Sequence, residues 1–322
     1  MKRFCLKVSL FMALQAILFV ALLWNYDVSE ETNYLAATVD KHVRLARTAG
    51  PRVIVTGGSN VAFGIQSDRL AVALGRPVIN MGLAAGEGID FMLSEITGEL
   101  RQGDVVVLSL EYDRFNGGFD ANLLEQILIY RPANAVYLKP KHLKKVLLDR
   151  GLKIAGGLTR RAVEGFFARP KATSVEESFA RRGFNMHGDL TVHHGQPARI
   201  TPAAANSGKL FPERRKLPTT DVINLLADFA GECRRRGVIF TFSFPPHAPK
   251  ALQDEAPAVA EIQSALQAIS NLVLLDSPAD QTYEPSLFFD TGYHLTQAGG
   301  ALRTEKLASS LRTILPLPAT AK

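Results

Sequence analysis

Val53-Ile-Val-Thr-Gly57-Gly-Ser59-Asn60 opens on a short β-branched run and closes on two glycines, a serine and an asparagine. A run of that kind, cut off by glycine, reads as a strand buried on both faces of a parallel sheet. The pattern repeats along the chain. Pro77-Val-Ile-Asn80, Asp104-Val-Val-Val-Leu-Ser-Leu110, Val238-Ile-Phe-Thr-Phe-Ser-Phe244 and Leu272-Val-Leu-Leu-Asp276 read as four further strands. Helical apolar spacing fills the gaps at Ile65–Leu74, Gly86–Leu100, Thr219–Arg236, Glu255–Ile269 and Thr296–Thr313. Strands alternating with helices at this pitch predict an α/β domain, a doubly wound parallel sheet with helices on both faces.

The rhythm stops between about residues 113 and 218, which reads as an insertion, helical over Pro140–Arg150 and Thr159–Ala168 and otherwise looped. The chain has 322 residues and a formal net charge of +6, and this region supplies the imbalance. Between Arg131 and Lys216, 18 Lys and Arg stand against 6 Asp and Glu, while the remainder carries 19 against 25. Such a patch attracts phosphates and other anions: nucleic acid, lipid headgroups or an anionic glycan.

The amino terminus chooses among them. After Met1-Lys-Arg-Phe-Cys-Leu-Lys7, no residue from Val8 to Trp24 is charged, a run just long enough to cross a bilayer's hydrocarbon layer. Trp24 and Tyr26 suit the far interface. Lys2, Arg3 and Lys7 precede the run and Asp27, Glu30 and Glu31 follow it, so the charge bias keeps the amino terminus in the cytoplasm and exports the rest. The expected layout is a transmembrane signal anchor over 1–26, a helical stalk over 27–50 and the α/β domain over 51–322. A cleaved signal peptide is the competing reading, with Leu35-Ala36-Ala37 the nearest small-residue site. For a bacterial chain the location is then the inner membrane, single-pass, with the domain in the periplasm or outside, where chromosomal nucleic acid is not a partner. Two cysteines, Cys5 and Cys233, exclude a disulfide scaffold and a cysteine-rich metal module.

Ligands of open parallel sheets bind beyond the carboxyl ends of the strands. The first strand is followed there by Gly57-Gly58-Ser59-Asn60, the second ends in Asn80-Met-Gly82, and Asp290-Thr-Gly-Tyr-His294 leads into the last helix. A glycine–serine turn alone is a phosphate cradle, a plain turn or a nucleophile's seat; it lacks the lysine of a P-loop. A serine nucleophile needs a base, and the base an orienting carboxylate, which His294 and Asp290 can supply. His193-His194, near His187 and Asp189, has no third ligand at standard metal spacing, so no metal or other cofactor is expected. Phe240, Phe242 and Phe244 read as core, and Arg303 as the partner of a neighbouring acid on the last helix.

This order of blocks resembles the SGNH (GDSL-like) hydrolase superfamily, over roughly residues 51–112 and 219–315. The resemblance implies a flavodoxin-like sheet, Ser59 as nucleophile, His294 as base, Asp290 as its acid, and an oxyanion hole from the N–H groups of Ser59 and Gly82. With the export anchor, it is most similar to the membrane-anchored subgroup that modifies cell-surface polysaccharides, including D-alanyl transfer and alginate acetylation proteins. Two features depart from the family. Its third block carries Gly-x-Asn, where this chain has Ser109-Leu-Glu111-Tyr112, leaving Asn60 or Asn116 to complete the hole. Its acid and base are spaced Asp-x-x-His, where here three residues intervene. Tyr112, Arg114 and His247 fall on the rim as candidate substrate contacts. The implied function is a serine esterase or O-acyltransferase, with anionic polysaccharide or lipid headgroups at the insertion and a membrane-bound acyltransferase as partner. The alternative is a catalytically inactive assembly or glycan-binding component.

Overall fold

The structure is a computed structural model that describes residues 2–24, 33–164, 179–207, 210 and 218–315. Helix α1 spans Lys2–Trp24. Phe4, Leu6, Leu10, Phe11, Met12 and Leu14 on it are exposed, and its side chains from Ala16 onward lie outside the described residues. Among the described residues, no helix is long and apolar enough to cross a membrane. The expected transmembrane helix therefore finds no support in the structure.

Five strands follow, all parallel: β1 Val53–Gly57, β2 Val78–Asn80, β3 Val105–Ser109, β4 Ile239–Phe242 and β5 Leu272–Leu274. Their order across the sheet is β2-β1-β3-β4-β5, the flavodoxin-type doubly wound arrangement. Alternation along each strand explains both layers, since successive side chains point to opposite faces. Val53 and Val55 of β1, with Val105 and Val107 of β3, face α4 (Ser67–Leu74) and α11 (Gln297–Ile314), meeting Leu70, Leu74, Leu307 and Leu311. Ile54, Val106 and Leu108 face α5 (Ile89–Thr97), α9 (Thr220–Arg235) and α10 (Pro249–Gln267). The expected Phe240–Phe242–Phe244 packing belongs to this second face, each ring at most 1% exposed.

The stretch expected as a stalk is not a free-standing one where it is described. Residues 37–47 form helix α2 (Ala37–Arg47), docked on the body. Ala37, Thr38, Lys41, His42 and Leu45 are buried, and the Lys41 ammonium donates to the carbonyls of Asn80 (3.0 Å) and Gly188 (2.6 Å). Residues 27–32 lie outside the described residues.

The insertion is also part of the body. It contains α6 (Ala121–Tyr130), α7 (Pro140–Glu164) and α8 (Pro202–Asn206). Where two helices were expected over 140–168, one runs continuously to Glu164. Its Phe184–Leu190 loop lies across the ends of β2 and the turn after β1: the Leu190 N–H donates to Ala62 O and the Asn80 N–H to His187 O. Of the basic residues, Lys139, Lys145, Arg150 and Arg181 are paired with Asp90, Asp149, Glu125 and Asp40. Lys209 and Arg214–Lys216 lie outside the described residues.

Candidate active site

β1 delivers the chain to Gly57 (φ +153°), where a Cβ would stand 2.0 Å from the Ser109 carbonyl oxygen. Only glycine passes there. A Cβ on Gly58 would lie 2.3 and 2.4 Å from the two carboxyl oxygens of Glu111, so a side chain here would have to displace that carboxyl. Two glycines thus press the turn against β3, and helix α3 (Ser59–Gly64) begins at once, with Ser59 in its first turn. The expected helix over Ile65–Leu74 is preceded by this short one and itself spans Ser67–Leu74.

His294 reaches Ser59 from 235 positions away. Phe288 and Leu295 pair as an antiparallel bridge, the Phe289 N–H donates to His294 O, and Thr291 Oγ1 accepts from the N–H groups of Tyr293 and His294. Residues 290–294 are wrapped into a tight turn that puts both side chains on one side. His294 Nδ1 lies 2.7 Å from Asp290 Oδ1, and His294 Nε2 lies 2.8 Å from Ser59 Oγ. With Nδ1 donating to the carboxylate, Nε2 is free to accept the serine proton. The extra residue between acid and base is absorbed by the turn. Phe63, one helical turn beyond Ser59, stacks on the imidazole at 3.9 Å between centroids and 5° between planes. One short helix therefore carries the hydroxyl and also fixes the plane of the ring that faces it. Sequence reading missed Phe63; its i+4 offset from Ser59 was the available signal.

Asn60 is not placed as an oxyanion donor. Its side chain is buried, with Nδ2 donating to Ser109 O (3.1 Å) and Oδ1 accepting from Ser109 Oγ and from Arg303 Nη2. Its backbone N–H donates to Glu111 Oε1 (3.1 Å). Asn116 is also engaged, its Oδ1 accepting from the Gly118 N–H. The Gly82 N–H donates to Asn80 Oδ1 (2.9 Å). The Ser59 N–H is a first-turn donor with no carbonyl a turn before it. Glu111 Oε2 is buried and without a partner among the described residues. A carboxyl therefore lies against the turn that carries Ser59.

Two rim candidates are core residues. Tyr112 is fully buried, 6.4 Å from the Phe244 ring. His247 is also fully buried, its Nε2 2.8 Å from Pro278 O and its backbone exchanging hydrogen bonds with Gln281 and Tyr283. Both were expected to touch substrate; both are enclosed instead, Tyr112 against the rings of Phe244 and His247, and His247 by the chain over residues 278–283. Arg114 is half-buried and ion-paired with Asp113.

Arg303 does not pair with an acid on its own helix. It is 1% exposed and donates to Asn60 O (2.8 Å), Asn60 Oδ1 (3.0 Å) and Ser109 Oγ (2.8 Å), tying the turn that carries Ser59 to β3. Its signal was its place at i, i+4, i+8 with Leu307 and Leu311, on the buried face of α11. We expect Arg303→Met to lower stability by about 2–4 kcal/mol, since three buried acceptors lose a charged donor. Arg303→Lys, which keeps charge without the fork, lowers kcat and leaves KM unchanged. A KM rise at constant kcat would remove Arg303 from positioning.

Asp189, from the insertion, ties the start of α4 to the end of β2, accepting from Ser67 N (2.8 Å), Ser67 Oγ (2.6 Å) and Asn80 Nδ2 (2.9 Å). His193 packs between Phe63 and Phe289, at 4.9 and 5.2 Å. Burial, with neighbouring His194 adding to it, pushes His193 down to about 4 from the usual 6.5. The unfolded chain then binds a proton between pH 6.5 and 4 that the folded chain refuses, so stability is intact above 6.5 and falls as pH drops towards 4. Urea midpoints measured across that window should decline with pH, and His193→Phe should make the decline shallower. An unchanged slope would mean His193 does not titrate there.

No protein-family model matches the chain, and no curated protein matches it. Among solved structures, one described as "a putative platelet activating factor from Streptococcus pneumonia" is similar over 94% of this chain and 99% of that one, at 12% identity and a TM-score of 0.39. A likeness at that score carries no weight about chemistry, and the candidate site stands on its own geometry.

Proposed function

We propose that this chain is a serine acyl-ester enzyme, an esterase or O-acyltransferase of SGNH type, held at a membrane and acting on cell-surface or extracellular polysaccharide. The observation that carries the enzymatic part is the continuous line Ser59 Oγ–His294 Nε2, His294 Nδ1–Asp290 Oδ1, at 2.8 and 2.7 Å. In this reading His294 takes the Ser59 proton as Oγ bonds to the ester carbonyl carbon, and Asp290 steadies the resulting imidazolium. The imidazolium returns the proton to the leaving alkoxide. The acyl group on Ser59 is then passed to water or to a sugar hydroxyl, which His294 deprotonates in turn. The Ser59 N–H holds the developing oxyanion, joined by Gly82 once a substrate oxygen displaces the Asn80 carboxamide. Arg114, at the rim, is the charged group closest in role to a substrate contact.

Membrane tethering rests on the uncharged run Val8–Trp24 and the charge asymmetry around it. The basic insertion suits anionic polymer or lipid headgroups, and a membrane-bound acyltransferase suits the role of acyl supplier. The direct test is labelling of the full chain with a fluorophosphonate, alongside p-nitrophenyl acetate turnover. Covalent labelling at Ser59 is expected, as is retention of the chain in membranes washed with alkaline carbonate. A second reading, an inactive assembly or glycan-binding component, is favoured by the Glu111 carboxyl at the nucleophile's turn. Absence of both labelling and turnover would select it.

A further inference from the structure

A cavity of about 310 Å³ opens between α2 and the Phe184–Leu190 loop, and its wall includes Asp40, Lys41, Arg44, Phe184 and Met186. Lys41 and Arg44 stand three residues apart on one face of α2. Lys41 is 3% exposed, its ammonium sits 4.7 Å over the Phe184 ring, and its acceptors are two neutral carbonyls. Arg44 shares one Nη2 hydrogen bond with His187 Nδ1 (2.9 Å), and its Nε, also buried, has no partner among the described residues. The one carboxylate of the wall, Asp40, is committed to Arg181 through two contacts of 2.7 Å. Two cations thus line the cavity with no paired carboxylate among the described residues. A buried cation without a direct ion pair is costly, and burial holds Lys41 down at about 8, against the usual 10.5, although the carboxylates of Asp189, Glu87, Glu95 and Asp40 oppose the shift.

An anion seated between them would relieve that cost. A guanidinium fork beside a point-charge ammonium matches the tetrahedral oxygens of a phosphate group. The apolar wall formed by Phe184 and the exposed Met186 suits the organic part of an ester better than water. We infer that this cavity binds the phosphate group of an organic phosphate ester, through Lys41 and Arg44. The ester is a lipid headgroup or a soluble phosphate. The site is separate from Ser59 and does not depend on what Ser59 does.

The test uses the full chain in dodecyl maltoside, with thermal unfolding read against glycerol 3-phosphate and against dihexanoyl phosphatidylglycerol. Potassium chloride and acetate at matched ionic strength are the controls. A saturable rise in Tm of a few degrees is expected from at least one phosphate, with neither control producing it. A rise with the lipid alone assigns the headgroup as source, and a rise with glycerol 3-phosphate alone assigns a soluble ester. Arg44→Gln should weaken the apparent affinity at least tenfold. Met186→Glu, which places an anion at the exposed rim, should do the same, and it decides the matter if Arg44→Gln loses its cooperative transition. Ser59→Ala should keep the full shift. No saturable shift with either phosphate, or equal shifts in the variants that fold, overturns the site.

Discussion

Ser59→Ala abolishes fluorophosphonate labelling and lowers ester turnover by about 10⁴–10⁶-fold, and His294→Ala lowers it by a similar factor. The expectation follows from the chain of contacts: the serine hydroxyl has one basic partner, at 2.8 Å, and that partner has one carboxylate, at 2.7 Å. Because the two side chains act as a unit, the double variant should fall no further than either single one. Asp290→Asn should cost about 10⁴-fold, since an amide at that position favours the wrong imidazole tautomer. Neither Ser59→Ala nor Asp290→Asn removes buried apolar area, so Tm should hold within a few degrees while turnover collapses. Labelling that persists in Ser59→Ala would place the nucleophile elsewhere, and additive losses in the double variant would break the pair.

What made this site readable was local. The glycines before Ser59 and the β-branched run before them declare a strand and a tight turn within eight residues, and a strand's carboxyl end is where a doubly wound sheet receives ligands. Asp290 and His294, polar residues ahead of a helix, were weak signals alone and became readable only through their joint placement with Ser59 and the resemblance of that order of blocks. Arg303, Asp189 and Phe63 were not, because each acts through a partner far along the chain. Arg303 reaches Asn60 across 243 positions and Asp189 reaches Ser67 across 122. Nothing in the periodicity of α11 or of the insertion says which turn lies opposite. His247 and Tyr112 failed in the other direction. Their strands end where expected, yet both rings turn inward, and the face a residue takes after a strand ends is set by packing rather than by alternation. The docking of α2 was hidden because an amphipathic pattern is the same for a stalk and for a helix seated on a body. The parallel direction of the five strands, by contrast, followed from connection length, since every crossover is long enough for a helix, whereas their order was implied only by the resemblance to a flavodoxin-like sheet.

Glu111→Gln should raise ester turnover by about tenfold or more. The Glu111 carboxyl lies flat against Gly58 and accepts the Asn60 N–H, so it brackets Ser59 on both sides. A tetrahedral intermediate places negative charge beside that turn, and an anionic carboxylate there opposes it, whereas a well-placed donor is worth about 10²–10³ in rate. Glutamine keeps the shape and the acceptor for Asn60 N–H through its Oε1. It replaces the unpartnered Oε2 with an NH₂ that can donate to the oxyanion. The gain should appear in kcat, because an interaction made only with the developing charge leaves substrate affinity unchanged. Glu111→Ala separates the two contributions. It removes the opposing charge and supplies no donor, while also leaving the Asn60 N–H unsatisfied, so its turnover should fall below that of the glutamine variant. If Glu111→Gln instead loses activity with the fold intact, the carboxyl itself serves the reaction, as a protonated donor or as the acceptor that fixes Asn60. In that case its presence in place of an amide is a working part of this site, and the inactive-component reading loses its main support.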